Sequence, residues 1–139
     1  MKAFRDGEIV DESSVTVHLN CVSSALGTLV FEGLRCYQRD RPDGGLYAFR
    51  LADHFRRLVA SLRCLNVEPP CTLETLRSAL VDLVAANGEV GSCYVKIMVF
   101  WDHVLAGTSL FDLGRLPAKL AIFVKPTPAE FFSACQDLR

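Results

Sequence analysis

Leu46-Tyr47-Ala48-Phe49-Arg50-Leu51-Ala52-Asp53-His54-Phe55-Arg56-Arg57-Leu58 is where the apolar period of the chain changes. Up to Arg50 the residues have strand character. From Leu51 the apolar positions are Leu51, Phe55, Leu58, Leu62 and Leu65, at spacings of 4, 3, 4 and 3. That is one stripe of a helix running to about Leu65. Upstream, Leu29 to Tyr37 is rich in strand formers, and Gln38 to Gly45, with Pro42-Asp43-Gly44-Gly45, is a polar turn. The two strands and the turn make a hairpin. Further upstream, Asp6-Gly7 between short extended pieces signals another hairpin, and Ser14 to Leu19 reads as a short strand. Downstream, Pro69-Pro70 forces an extended break. Thr72 caps a second helix with the stripe Leu73, Leu76, Leu80, Leu83 and Val84, which Asn87-Gly88 ends in αL fashion. Cys93 to Trp101 is a nine-residue strand pattern, and Leu120 to Val124 is apolar enough to be central in a sheet. Strands, two helices, then strands give an α+β class with the helices on one face of a largely antiparallel sheet.

Composition narrows the functions open to this chain. Its 139 residues are 50% hydrophobic and 22% charged, enough for a core and far from a disordered tail. A net charge of -1 gives no general attraction for nucleic acid or anionic lipid. No apolar run approaches the roughly 20 residues that span a bilayer. The N-terminus, MKAFRDGEIVDESS, is charged where a signal peptide is apolar, so a cytoplasmic protein is expected. Six cysteines, at 21, 36, 64, 71, 93 and 135, form no C-x2-C pair and have no His at ligand spacing. They read as reduced structural thiols, with no metal site. Pro126-Thr127-Pro128 follows the last strand and eleven polar, partly helical residues follow that, an ending that reads as a connector toward a second domain.

Three segments carry possible chemistry. In Gly27-Thr28-Leu29-Val30-Phe31-Glu32-Gly33-Leu34-Arg35-Cys36-Tyr37, glycines before and inside a strand mark a bend or a close backbone approach. Period two puts Gly33, Arg35 and Tyr37 on one face, joining a charge, a ring and an open space. On the first helix, Asp53 and Arg57 stand at i,i+4, a pair worth about 0.2–0.5 kcal/mol. Arg57 flanks the apolar stripe, so its fork can reach the core edge and suits a phosphate, although an ordinary solvated helix face explains the same arginines. His54 alone reads as a surface or capping residue. In Tyr94-Val95-Lys96, Tyr94 and Lys96 share a strand face, and an inward lysine needs a carboxylate from a substrate or an Asp. No Ser-His-Asp order, P-loop, GxGxxG or HExxH is present, and the three histidines assemble no triad.

Taken in order, these segments resemble the N-terminal domain of branched-chain amino acid aminotransferases, of the class-IV, fold-type IV pyridoxal-phosphate group. The likeness runs from about Phe4 to Val124 through Asp6-Gly7-Glu8, Phe31-Glu32-Gly33-Leu34-Arg35-Cys36-Tyr37, Phe49-Arg50-Leu51 with His54 and Arg57-Leu58, and Cys93-Tyr94-Val95-Lys96. The resemblance implies a two-layer small domain over residues 1–125, an interdomain connector starting at 126–139, and a C-terminal catalytic domain outside this chain. It implies that Arg57 holds the 5'-phosphate of pyridoxal 5'-phosphate. By the same resemblance, Phe31 lines an apolar side-chain pocket, and Arg35, Tyr94 and Lys96 shape its polar part. Leu26 stands where the family usually has Tyr, and Lys96 where it usually has Arg. The first departure deletes a hydroxyl from the pocket wall, and the second keeps the charge but loses the fork. The lysine that forms the Schiff base belongs to the C-terminal domain, so no catalytic residue is expected in this chain and the chain alone is expected to be inactive. Implied partners are an apolar or branched-chain amino acid, a 2-oxo acid with 2-oxoglutarate as acceptor, the C-terminal domain in cis or in trans, and a second copy in a homodimer. Two readings contrast with this one. A non-catalytic binding or partner module would suit the Leu26 and Lys96 departures. D-amino acid transaminases and aminodeoxychorismate lyases share the fold type but usually differ in the Phe-Glu-Gly-x-Arg stretch.

Overall fold

A computed structural model describes residues 1–39, 45–88, 91–105 and 110–128. Six strands form one antiparallel sheet: β1 (Lys2–Arg5), β2 (Glu8–Asp11), β3 (Val30–Gln38), β4 (Leu46–Ala48), β5 (Cys93–Phe100) and β6 (Lys119–Pro126). Their spatial order is β2-β1-β6-β5-β3-β4, so β6 and β5 are central, as the apolar run at Leu120–Val124 implied. The helices are α1 (Val22–Leu26), α2 (Leu51–Cys64) and α3 (Leu73–Asn87). The turn at residues 40–44, the tail at 129–139 and Cys135 lie outside the described residues.

Sheet parity separates the two faces. Leu34, Cys36, Val95, Ile97, Ile122 and Val124 point under α2 and α3 and join Leu58, Leu62, Leu76 and Leu83 in a buried core. The other face of β3 and β5 carries Phe31, Gly33, Arg35, Tyr94 and Lys96, none of them buried. The core residues and Phe31, Gly33, Arg35, Tyr94 and Lys96 therefore alternate on opposite sides of the same strands.

Side chains close both ends of α3. Thr72 Oγ1 accepts from the Thr75 N–H at 3.2 Å while Thr75 Oγ1 accepts from the Thr72 N–H at 2.8 Å, a closed capping box. Thr72→Ala is expected to cost about 1 kcal/mol, read as a lower denaturant midpoint at constant m-value. At the other end of α3, Asn87 Nδ2 donates to the Lys2 carbonyl at 3.1 Å and Asn87 Oδ1 accepts from the Lys2 N–H at 2.8 Å, tying the helix to β1. Gly88 has φ 73° and ψ −149°, so this helix leaves through an extended left-handed geometry rather than the expected αL one.

Two segments differ from their sequence reading. Ser14–Leu19 is not a strand: a 3-10 turn at Glu12–Ser14 precedes it, and the Thr16 N–H bonds back to the Ser14 carbonyl at 3.0 Å. Only Val15 in this stretch is half-buried and Leu19 is 85% exposed, so its alternation marks no buried face. The short helix α1 is held by tertiary contacts, because the Val22 and Ser23 N–H groups donate to the carbonyls of His103 and Trp101 and Ser23 Oγ accepts from the Trp101 N–H at 2.7 Å. Five residues cannot sustain a helix by propensity alone.

Candidate functional site

Glu32 is the centre of the arrangement. On β3 it has the parity of Leu34 and Cys36, so it points into the helix-covered side and is only 3% exposed. A carboxylate there needs partners for both oxygens. Arg57 Nε donates to Oε1 at 2.9 Å, and His54 Nδ1, carrying its proton, donates to Oε2 at 3.0 Å. Both donors lie on α2, one turn apart. The arginine is fixed at Nε, yet its side chain remains 72% exposed, which leaves the Nη edge of the fork accessible.

This pairing replaces the Asp53–Arg57 contact expected from i,i+4 spacing. Asp53 accepts instead from Arg50 and Arg56, each three residues away, and these two guanidinium groups hold its carboxyl below the ordinary range. A buried, otherwise unpaired acid attracts a guanidinium more strongly than an exposed one does, because less water screens it. The alternation of β3 had put an acid among core positions, which is the signal by which Glu32 could have been found. His54, read as a surface residue, is the third member of the cluster.

The other residues singled out from the sequence lie on the uncovered face. Arg35 stands opposite Tyr94, and Gly33 opposite Lys96, across the β3–β5 ladder. A Cβ at Gly33 would lie 2.7 Å from Tyr94 Cζ and 2.9 Å from Cε2, so the tyrosine ring occupies the space the glycine leaves. The Lys96 ammonium stands 4.9 Å from the centre of the Phe31 ring, a cation–π contact, and that ring is 54% exposed. Leu26 does not join this group; it packs against the core edge at the end of α1. A hollow of about 270 Å³ adjoins the face, walled by Val17, Leu29, Met98, Phe100 and Phe123, and Phe31 is not among its lining residues. A hollow of about 740 Å³ between the β1–β2 turn and the start of α3 contains none of the proposed residues.

The covered and uncovered sides meet at one edge. β4 pairs only with Cys36–Gln38 of β3, and the Phe49 N–H adds a bond to the Arg35 carbonyl at 2.9 Å. Among the described residues, Val30–Leu34 has no strand partner on that side. Arg57, approaching from α2, therefore reaches Glu32 beside the same stretch of β3 that displays Phe31 and Gly33. A guanidinium with a free fork, an ammonium and a tyrosine hydroxyl can together bind a phosphate and a carboxylate, with an aromatic ring alongside for an apolar group.

The family described as amino-transferase class IV matches residues 29–134. The branched-chain-amino-acid aminotransferase of Pseudomonas aeruginosa is 34% identical over 96 residues, covering 69% of this chain and 30% of that protein. Among solved structures, a branched-chain aminotransferase from Thermoproteus uzoniensis with norvaline superposes with a TM-score of 0.81 at 34% identity, over 92% of this chain and 41% of that one. The PLP form of the Thermobaculum terrenum branched-chain amino acid aminotransferase has a TM-score of 0.72 at 29% identity, over 94% of this chain and 41% of its own. The chain thus spans about a third of the length of the curated relatives it matches.

Proposed function

This chain belongs to the class-IV aminotransferases, and on that footing we propose that residues 1–125 are the small domain of a pyridoxal 5'-phosphate-dependent enzyme that transfers the amino group of a branched-chain or other apolar amino acid to 2-oxoglutarate. The observation that carries the reading is the buried Glu32 holding Arg57 by Nε while leaving the rest of the fork exposed. An arginine steered in this way fits a phosphate, whose oxygens accept parallel N–H bonds. When bound, pyridoxal 5'-phosphate supplies the electron sink that makes the amino acid's Cα acidic.

The binding and orienting roles fall to side chains of this chain. Arg57 binds the 5'-phosphate, Glu32 and His54 orient Arg57, and Phe31 packs against the apolar side chain of the substrate. Tyr94 and Arg35 set the polarity beside it. Lys96 attracts the substrate carboxylate as a point charge, with less directional preference than an arginine fork. Leu26, packed against the core edge at the end of α1, takes no part in this proposal. The remaining lysines face other duties: Lys2, Lys119 and Lys125 pair with Asp11, Asp6 and Glu12. We therefore assign the cofactor-anchoring lysine to the part of the relatives' length that this chain does not span, reached through a connector beginning at Pro126. The uncovered sheet face would be closed by that domain and by a second copy in a cytoplasmic homodimer.

The test is to supply the C-terminal domain, fused or co-expressed, and measure cofactor absorbance together with transamination of leucine, isoleucine and valine against 2-oxoglutarate. Turnover of these L-amino acids is expected. Turnover confined to D-amino acids or aminodeoxychorismate would replace the substrate assignment, and a complex that takes up no cofactor would make this a binding module.

A further inference from the structure

Cys36 and Cys93 are directly opposite one another on β3 and β5, both buried. Opposed residues of an antiparallel pair have Cα atoms roughly 4.5–5.5 Å apart, inside the roughly 4.4–6.8 Å that a disulfide spans. A hydrogen bond between the two thiols lifts the Cys36 thiol above its ordinary range and lowers that of Cys93. Access comes from the Cys36 side. That thiol lines a hollow of about 330 Å³ between β4 and α3, with Leu46, Ala48, Leu80 and Val84 among its walls. The other described cysteines have no such setting, since Cys21 forms a backbone β-bridge with Val104, Cys71 is half-buried beside Thr75, and Cys64 is exposed on α2.

We propose that Cys36 and Cys93 form an oxidisable dithiol that closes into a cross-strand disulfide when hydrogen peroxide enters this groove. The Cys36 sulfur, which faces the hollow, attacks the peroxide O–O bond. One oxygen stays on sulfur as a sulfenic acid, and the other leaves as hydroxide, which the thiol proton converts to water. The Cys93 sulfur then attacks the Cys36 sulfur, its proton passing to the departing hydroxyl, and a second water leaves. Two thiols lose two electrons and two protons, and the peroxide is reduced to two waters. The bond would join the residue after Arg35 to the residue before Tyr94, clamping the ladder at the point where those two side chains face each other.

Folded, fully reduced protein treated with one equivalent of hydrogen peroxide, alkylated, and digested without reductant gives the readout. A Cys36–Cys93 linked peptide is expected as the dominant product, restored to free thiols by dithiothreitol and absent from Cys36→Ser and Cys93→Ser proteins. Peptide mapping of the parent protein decides the matter even if a variant folds poorly. The proposal is overturned if both thiols are recovered alkylated while Cys64 has been oxidised. It is overturned equally if either links to a different cysteine, or if the pair forms only in urea.

Discussion

The Gly33→Ala protein is expected to fold as its parent does and, in the complete enzyme, to lose about a hundredfold in kcat/KM. A methyl group at this position would overlap the Tyr94 hydroxyl and press on the ring at Cζ and Cε2. The obstacle is the far end of one side chain on an uncovered sheet face, so the ring swings away and the fold survives. Alanine also suits a strand interior better than glycine, which should leave the unfolding midpoint level or slightly raised. What is lost is the placement of Tyr94 beside Arg35 and Lys96, and displacements of about 1 Å near a reacting centre cost on that scale. Tyr94→Ala should cost a similar amount, and the double variant little more than either alone, because both act on one ring. Parental kinetics for Gly33→Ala would remove Tyr94 from the site.

Arg57→Ala is expected to weaken pyridoxal 5'-phosphate binding by about ten- to a hundredfold, the range for losing hydrogen bonds to a charged group. A titration of cofactor absorbance measures this without relying on turnover. Arg57→Lys should recover little, since an ammonium offers neither the Nε contact to Glu32 nor the fork. Glu32→Gln separates orienting from binding. It preserves volume in the core and leaves Arg57 charged but unsteered, so affinity should fall roughly tenfold while stability falls by about 1–3 kcal/mol from the altered buried pairing. Unchanged cofactor affinity in Arg57→Ala would require another phosphate anchor.

Much of the architecture was legible because it is local. The helical stripes at Leu51–Leu65 and Leu73–Val84 follow from residue period, and the strands read at Cys93–Trp101 and Leu120–Val124 form as Cys93–Phe100 and Lys119–Pro126. What escaped depends on distant partners. The helix α1 exists because Trp101 and His103 receive its N–H groups, contacts some eighty residues away along the chain. Arg57 was paired by spacing with Asp53, yet Glu32, 25 residues distant, wins it because a buried carboxylate must be neutralised. Period could show that Glu32 faced the core; only packing could show which cation met it.

The division of the sheet into a packed face and an uncovered one also bears on how such a protein diversifies. Side chains such as Leu34, Val95 and Ile97 are tied to folding, whereas Phe31, Arg35 and Lys96 alternate with them on the same strands and contribute little to the core. Substitutions at exposed positions of this kind usually shift stability by about 0.5 kcal/mol or less. Selection, natural or in the laboratory, can therefore explore new pocket chemistry at positions 31, 35 and 96 while foldability stays nearly constant, with Gly33 and Tyr94 obliged to change together.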